Sequence, residues 1–282
     1  VWFFQGMERM KYITYLNIGA KLFFTILIFV FIHQASDYIY VPLINSLGFI
    51  VAGISGIWVV FKKFKINFKV PSFTELKHQL KDGWHIFIST VAISFYTTSN
   101  SFFLGLFTNN TIVGYYSAAE KIVKAIQGFW IPFSQSIYPM FSKLYFDDKM
   151  KAKRVLKKIL VIAGFLTFMA SLLGCVFSPL IINVFLGKSF EPSISIMRIL
   201  IFIIFSIGIN NVLGIQGLVA FGFTKEFTLT VLVASLIHIL LLIIFIPLWN
   251  GIGVAFVTVF TETLIVFKEF FILKIGRASC RE

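Results

Sequence analysis

The sequence predicts an all-α, polytopic membrane protein, and three observations carry that reading. Of 282 residues, 58% are apolar, 13% are charged and 36 are phenylalanine, whereas a soluble domain runs at roughly 45–50% apolar and about 25% charged. The apolar residues gather into stretches of the length, about 20 residues, that a helix needs to cross a bilayer core. The 25 lysines and arginines collect between alternate stretches, as the positive-inside rule describes. An ordinary soluble enzyme is excluded. The formal charge of +13, which on a soluble chain would suggest nucleic acid, has a topological origin instead, so no nucleic-acid partner is expected.

Eight spans are expected, at 16–31, 41–61, 84–107, 113–141, 159–184, 194–221, 227–249 and 252–273. Barrel strands would be shorter and would alternate in polarity, so all eight read as helices. One side of this ladder holds Arg9, Lys11, Lys21, Lys62, Lys63, Lys65, Lys69, Lys77 and Lys81. The same side continues with Lys143, the run from Lys149 to Lys158, Lys225 and Lys268. The other side holds only Lys188 and Arg198. The basic side is therefore expected in the cytoplasm. In the second span Gly48, Ala52 and Gly56 form a small-xxx-small ridge, the pattern of close helix packing. Residues 62–83 make the longest connection. After Pro71 it carries Ser72-x-x-Glu75, a capping box, then Phe73, Leu76, Leu80 and Trp84 at helical spacing. This reads either as an amphipathic helix on the inner leaflet or as a strap between two bundles.

Polar groups in hydrocarbon cost free energy unless they face protein or water, so their positions carry the functional information. The third span has Thr90, Ser94, Thr97 and Ser101 on one stripe, with Asn100 beside them. In the fourth, Ser117, Glu120, Lys121, Lys124, Gln127, Ser134 and Gln135 share one broad face, with Pro132 interrupting the helix. Glu120 and Lys124 stand in the favourable i, i+4 order for an ion pair. The eighth span adds Thr258 and Glu262, the sixth Asn210, Asn211 and Gln216, and the seventh His238. Each has a bland alternative: serine and threonine commonly bond their own helix, and a lone histidine in an apolar helix is more often a buried hydrogen-bonded residue than a proton relay. No Gly-rich phosphate loop and no His/Cys cluster with ligand spacing occurs, and Asp147-Asp148 reads as a solvated charge run. No enzyme, cofactor or metal site is expected. Polar stripes without catalytic loops suggest a transport pathway.

The chain opens at Val1 in mid-motif, so it is expected to be an internal fragment. Residues 274–282 break sharply from the apolar run before them, and their natural back-translation looks like a common short-read sequencing adapter. They are expected to be extraneous. Cys280 lies in that tail and Cys175 in an apolar run, so no disulfide framework is on offer.

At Trp2-Phe-Phe-Gln-Gly-Met-Glu-Arg-Met-Lys-Tyr-Ile13 the chain resembles the cytoplasmic motif of the O-antigen and polysaccharide repeat-unit flippases, the Wzx-type members of the MOP exporter superfamily, related to the MATE exporters. Leu80-Lys-Asp-Gly-Trp-His-Ile-Phe-Ile-Ser89, Gly114-Tyr-Tyr-Ser-Ala-Ala-Glu-Lys-Ile122 and Tyr138-Pro139 extend the resemblance through 1–273. The resemblance implies two six-helix lobes, with about 8 of about 12 helices present: the last two helices of the first lobe in 1–61, an inter-lobe linker in 62–83 and the second lobe in 84–273. It implies flipping of undecaprenyl-diphosphate-linked O-antigen or capsule oligosaccharides across the bacterial inner membrane by alternating access. Membrane lipids, and the polysaccharide polymerase and chain-length regulator, are candidate partners. On this reading Lys121, Lys124, Glu120, Ser117, Gln127, Thr97 and Asn100 face the lipid-linked substrate, and Glu262 is a candidate for ion coupling. The alternative is a drug or other lipid-linked substrate exporter of the same superfamily. A membrane O-antigen polymerase is disfavoured, because it would call for a long external loop.

Overall fold

The structure, a computed structural model, describes residues 2–7, 9–34, 37, 39–64 and 71–279, and among these there is no β-strand. It confirms an all-α polytopic membrane protein. The helices are α1 (Trp2–Gly6), α2 (Met10–Phe31), α3 (Tyr40–Phe64), α4 (Phe73–Phe107), α5 (Asn110–Gln127), α6 (Trp130–Asp147), α7 (Lys149–Phe185), α8 (Ser193–Leu200) and α9 (Ile203–Asn210). A π-helical stretch, Asn211–Val219, follows α9. The remaining helical run, Thr224–Ser279, is broken at Asn250 and forms α10 (224–249) and α11 (251–279). Lys65 and Lys69 of the expected linker, and the side chain of Gln135, lie outside the description.

Five helical stretches are long and apolar enough to cross a membrane: Lys11–Phe31, Tyr40–Phe64, Lys149–Phe185, Ser193–Val219 and Thr224–Lys274. The last contains the α10–α11 pair. The other two expected spans, in α4 and in α5 with α6, are helical but more polar. α4 carries Lys77, Lys81 and Asp82 in its early turns, and α5 carries Glu120, Lys121 and Lys124.

By its contacts the chain divides into two compact units, Val1–Leu76 and Lys77–Glu282, a division that falls within the expected linker. In the first unit α2 packs on α3, and the small-residue ridge lies at that contact. A Cβ at Gly48 would stand 3.3 Å from the Ala20 carbonyl oxygen, and one at Gly56 would stand 3.3 Å from Leu16 Cδ1. Small residues here let two backbones approach, which is how helices associate when the surrounding lipid is as apolar as the side chains. At the basic end Phe3, Phe4, Tyr12 and Phe64 form an aromatic cluster, with the Lys63 ammonium 5.2 Å from the Tyr12 ring centre. Lys21 departs from the sequence reading, which grouped it with the basic end. It lies eleven residues into α2, about 16 Å along the axis at 1.5 Å per residue, and lines a small 70 Å³ cavity with Asn17 and Asn45.

The capping box after Pro71 forms as expected. Ser72 donates its backbone N–H and its hydroxyl to Glu75 Oε2 at 2.8 and 2.9 Å, while Glu75 N–H donates to Ser72 Oγ at 3.3 Å. These donors hold the Glu75 carboxyl below the usual carboxylate range. The helix they start does not end at the membrane surface. The stretch from Phe73 to Gly83 continues without a break into the span, as the exposed first turns of one 35-residue helix.

In the second unit α7 shows why the bundle sits in lipid. Its buried face reads Ala152, Leu156, Ala163, Thr167, Ser171, Gly174, Ser178 and Ile182, a mostly small and weakly polar stripe at spacings of three, four and once seven. The opposite face exposes Phe165, Leu172, Val176 and Leu180. A water-facing helix would have the reverse polarity. Thr167 and Ser178 spend their hydroxyls on the carbonyls of Ala163 and Gly174, one turn earlier. Ser171 donates instead to the Ile201 carbonyl at 3.1 Å, where the chain turns between α8 and α9. The fourth expected span is also divided, at Gly128–Phe129. Pro132 then falls in the first turn of α6, where its missing N–H leaves no helix hydrogen bond unmade.

The α10–α11 turn is set by Asn250, at φ 50° and ψ −131°, a backbone conformation that side chains other than glycine rarely adopt. Beyond it α11 folds back along α10. His238 reaches Thr261, 23 positions away, at 2.9 Å, and the rings of Phe245 and Phe256 stand 5.5 Å apart. In a straight helix, 23 residues would span about 35 Å. A Cβ at Gly253 would collide with the Phe245 carbonyl oxygen, so the return of the chain requires glycine there.

Candidate functional site

A chain of buried hydrogen bonds joins α4, α9, α10 and α11. From α4, Tyr96 donates its hydroxyl to Glu262 Oε1 at 2.6 Å, and from α9 the Asn210 amide donates to Glu262 Oε2 at 3.0 Å. One turn beyond Tyr96, the Asn100 amide donates to the Thr258 hydroxyl at 3.2 Å, and Asn100 Oδ1 stands 2.8 Å from His238 Nε2. Because an amide oxygen only accepts, Nε2 carries the hydrogen. Nδ1 then faces Thr261 Oγ1 at 2.9 Å, and the one hydrogen of that hydroxyl is shared between the ring nitrogen and the Val257 carbonyl at 2.8 Å. The Tyr96 and His238 rings lie 5.3 Å apart. Tyr96, Asn100, His238, Thr258, Thr261 and Glu262 are all buried. Removing any one of them would therefore strand a partner in a medium that offers no water.

Glu269, two turns beyond Glu262 on α11, is fully buried, and its two carboxylate oxygens have no hydrogen-bond partner. Its Oε1 is the atom that a Cβ at Gly214 would meet at 2.5 Å, which places the carboxyl against the π-helical stretch. Such wide turns recur at functional sites. The same stretch contributes a second polar cluster: Gln216 donates to the Ser134 hydroxyl at 3.1 Å, and Ser134 donates to Asn211 Oδ1 at 3.2 Å.

The charged group on α5 lies at the edge of this network. Lys124 Nζ and Glu120 Oε1 pair at 3.0 Å, as the i, i+4 spacing predicts, with Glu120 tucked inward at 16% side-chain exposure and Lys124 turned outward at 53%. Tyr116, one turn before Glu120, is fully buried. Its hydroxyl lies alongside Asn100, Thr258 and Glu120 without making a direct hydrogen bond to any of them. Lys121 is exposed, and Ser117 and Gln127 are half-buried.

The structure thus separates residues that the sequence reading had placed together. Asn100 is in the buried network, whereas Thr97, half-buried, donates to the Ile93 carbonyl at 2.8 Å. Thr90 and Ser94 of the same expected stripe are exposed. Thr90 can face outward because its hydroxyl bonds the Ile86 carbonyl of its own helix at 2.8 Å. Tyr96 and Glu269 were missed altogether. A tyrosine among phenylalanines carries no positional signal, and Glu269 sits beside Lys268 near the basic end of its span, where a charged residue is unremarkable. No group of three or more His, Cys, Asp or Glu side chains suited to a metal ion comes together among the described residues.

A helical bundle with lipid-facing apolar faces and a polar, ionisable interior defines a polytopic membrane protein. Comparison with known proteins narrows the class. A family profile described as "Polysaccharide biosynthesis protein" matches residues 1–145, just over half of the chain, and the chain belongs to that family. It is 31% identical over 94% of its length to a protein of Escherichia coli (strain K12) named "Putative O-antigen transporter", and 27% identical, again over 94%, to one of Shigella dysenteriae with the same name. It covers 64% and 66% of those two proteins, just under two-thirds of their length. No solved structure matches.

Proposed function

We propose that the chain forms part of a flippase that carries undecaprenyl-diphosphate-linked O-antigen or capsule repeat units across the bacterial inner membrane. On this proposal, 84–273 is one lobe and 1–61 holds the last two helices of the other, joined by 62–83, and the two lobes expose the substrate to each side in turn. The family and the names of its relatives support the substrate class. The observation that carries the mechanism is the Glu120–Lys124 pair on α5, set against a buried polar network.

Magnitudes favour a transport role over a structural one. An exposed i, i+4 pair stabilises a helix by only about 0.2–0.5 kcal/mol, whereas each charge near the centre of a membrane helix costs about 2.5–3.5 kcal/mol on insertion scales. The ion pair therefore does not offset its own presence. A diphosphate crossing the same region supplies the missing term, because two cations of lowered hydration attract it more strongly than they would in water. Lys121 and Lys124 provide the positive charge, and Glu120 partly neutralises it so that the substrate can leave. Ser117 and Gln127, half-buried on the same helix, offer a hydroxyl and an amide to a sugar, whereas Asn100 is committed to Thr258 and His238 and Thr97 to its own helix, so these two back the site without facing the sugar; the polyprenyl tail stays in the bilayer.

Glu262 is the proposed coupling group. It already has two neutral donors, Tyr96 and Asn210, which can hold either an ionised or a protonated carboxyl, so a proton or small cation can come and go without dismantling the bundle. The polymerase and chain-length regulator would receive the product on the outer side. The test replaces Lys121 and Lys124 by Gln in a flippase-null strain, with surface polysaccharide and membrane abundance both measured. Loss of export at normal abundance, with recovery on substitution by Arg, is the expected outcome. Wild-type export from the double Gln variant rejects the site.

A further inference from the structure

A cavity of about 330 Å³ opens at the lysine-rich end of the second unit, between the first turns of α7, the end of α6, the chain after the π-helical stretch and the last turns of α11. Leu156, Leu160, Leu213 and Phe270 give it apolar walls, and Phe221, stacked on Tyr145 with ring centres 4.2 Å apart, closes one side. Lys153, half-buried, and Lys157, exposed, line the same cavity from one face of α7, four residues apart, and the exposed Lys274 lines it from α11. Lys149, one turn before Lys153, lies over the Tyr145 ring at 5.7 Å. Among the described residues no acid lines the cavity.

The volume is in the range of ligand pockets, about 300–1,000 Å³. Its chemistry selects one kind of occupant. A soluble anion would leave the apolar walls bare. A zwitterionic lipid would fill them but bring little net charge to three lysines in a cavity that no acid lines among the described residues. An anionic amphiphile satisfies both, and basic pockets between helices at the membrane surface are where acidic headgroups dock. We propose that this crevice binds an anionic phospholipid of the surrounding bilayer, with its acyl chain along Leu156, Leu160, Leu213 and Phe270 and its phosphate between Lys153 and Lys157. The site is independent of the α5 lysines, and the proposal holds whether or not the protein is a flippase.

The test uses purified protein in detergent and titrates phosphatidylglycerol and phosphatidylcholine by native mass spectrometry, with inorganic phosphate and farnesyl diphosphate as competitors. Phosphatidylglycerol is expected to bind in preference to phosphatidylcholine. At about 1 kcal/mol per lysine near the membrane surface, K153Q with K157Q should weaken phosphatidylglycerol about thirtyfold and leave phosphatidylcholine unchanged. Leu160→Trp, which fills the slot, should weaken both lipids, and K143Q with K151Q, which removes the same charge away from the cavity, should weaken neither. If the double Gln variant is unstable, a salt titration of the native protein reads the same charge requirement, since only phosphatidylglycerol should weaken with ionic strength. Four results overturn the proposal: equal binding of the two lipids, an equal effect of the K143Q and K151Q pair, displacement by inorganic phosphate alone, or stronger displacement by farnesyl diphosphate than by phosphatidylglycerol itself. The last would assign the crevice to a polyprenyl carrier.

Discussion

Tyr96 and Glu262, 166 positions apart in the sequence, meet at 2.6 Å between hydroxyl and carboxylate, both buried in the bundle. Together with the Asn100–Thr258 hydrogen bond one turn on, the contact ties the entry helix of the second unit to its last helix. Its strength bears on stability, and under the proposed function its protonation bears on transport.

These two roles separate on substitution. Tyr96→Phe removes one donor and keeps the ring packed on His238, so it should destabilise the protein by about 0.5–2 kcal/mol, the range for hydrogen bonds within membranes, with export reduced only in proportion to abundance. Glu262→Gln keeps an acceptor for Tyr96 and most of the volume but can neither bind nor release a proton. Normal melting with lost export is expected from it. Normal export from Glu262→Gln would leave the carboxyl a packing role only.

His238 offers a purely structural comparison. Its two ring nitrogens reach Thr261 and Asn100, and His238→Ala would leave Asn100 Oδ1 without that donor. A loss of about 2–4 kcal/mol is expected, from an unsatisfied buried group at about 1–3 kcal/mol together with the cavity left by the ring. Thermal unfolding in detergent reads it. A change below the error of that measurement would mean that water or another side chain takes the place of the imidazole.

The α10–α11 turn allows a sharper contrast between neighbouring positions. A Cβ at Gly251 would stand 2.9 Å from Ile196 Cδ1, the movable end of a side chain, whereas a Cβ at Gly253 would meet the Phe245 carbonyl, which cannot move without opening the hairpin. Gly251→Ala should therefore cost less than about 1 kcal/mol, and Gly253→Ala about 3 kcal/mol or more. Asn250→Gly should stabilise by about 1 kcal/mol, because it relieves the positive φ. Membrane abundance of fluorescent fusions, with thermal melts, orders the three. Equal behaviour of the two alanine variants would contradict the folded-back geometry.

At the start of α4, Ser72 and Glu75 cap each other, and the Glu75 carboxyl is held below its ordinary value by those donors. A depressed acid stabilises the helix start while it is ionised. The contribution is complete above the ordinary glutamate value and is lost as pH falls from there through the lower folded one. Amide exchange over 72–76, corrected for the intrinsic pH dependence, should lose protection across that window in the native protein and lack the transition in Glu75→Gln. An unchanged profile in the variant would show that the cap contributes nothing in solution.

Some of this was legible in the sequence, and the reason differs by residue. The capping box, the Gly48–Gly56 ridge and the Glu120–Lys124 pair depend on spacings within one helix, which the chain states directly. The Asn250–Gly251 turn could be placed because the apolar runs stop on either side of it. What could not be read is where each helix points. Thr90, Ser94 and Thr97 looked like an inward stripe, yet local carbonyls satisfy Thr90 and Thr97 and the helix can turn those faces away. The inward face is marked by Tyr96 and Asn100, whose partners Glu262, Thr258 and His238 lie 138 to 166 residues on. Pairings at that separation have no local signature. Lys21 shows the converse error, a cation grouped with the basic end that lies well inside α2.

A transport role for Lys121 and Lys124 is separated from a structural one by a flipping assay with the purified protein in liposomes carrying a polyprenyl-diphosphate oligosaccharide, read by the accessibility of the sugar to an external enzyme or lectin. The native protein should equilibrate the sugar between leaflets, K121R with K124R should retain the activity, and K121Q with K124Q should lose it while still folding and inserting normally. Equal flipping by the native and double Gln proteins, or none by a native protein shown to be folded, would contradict the account.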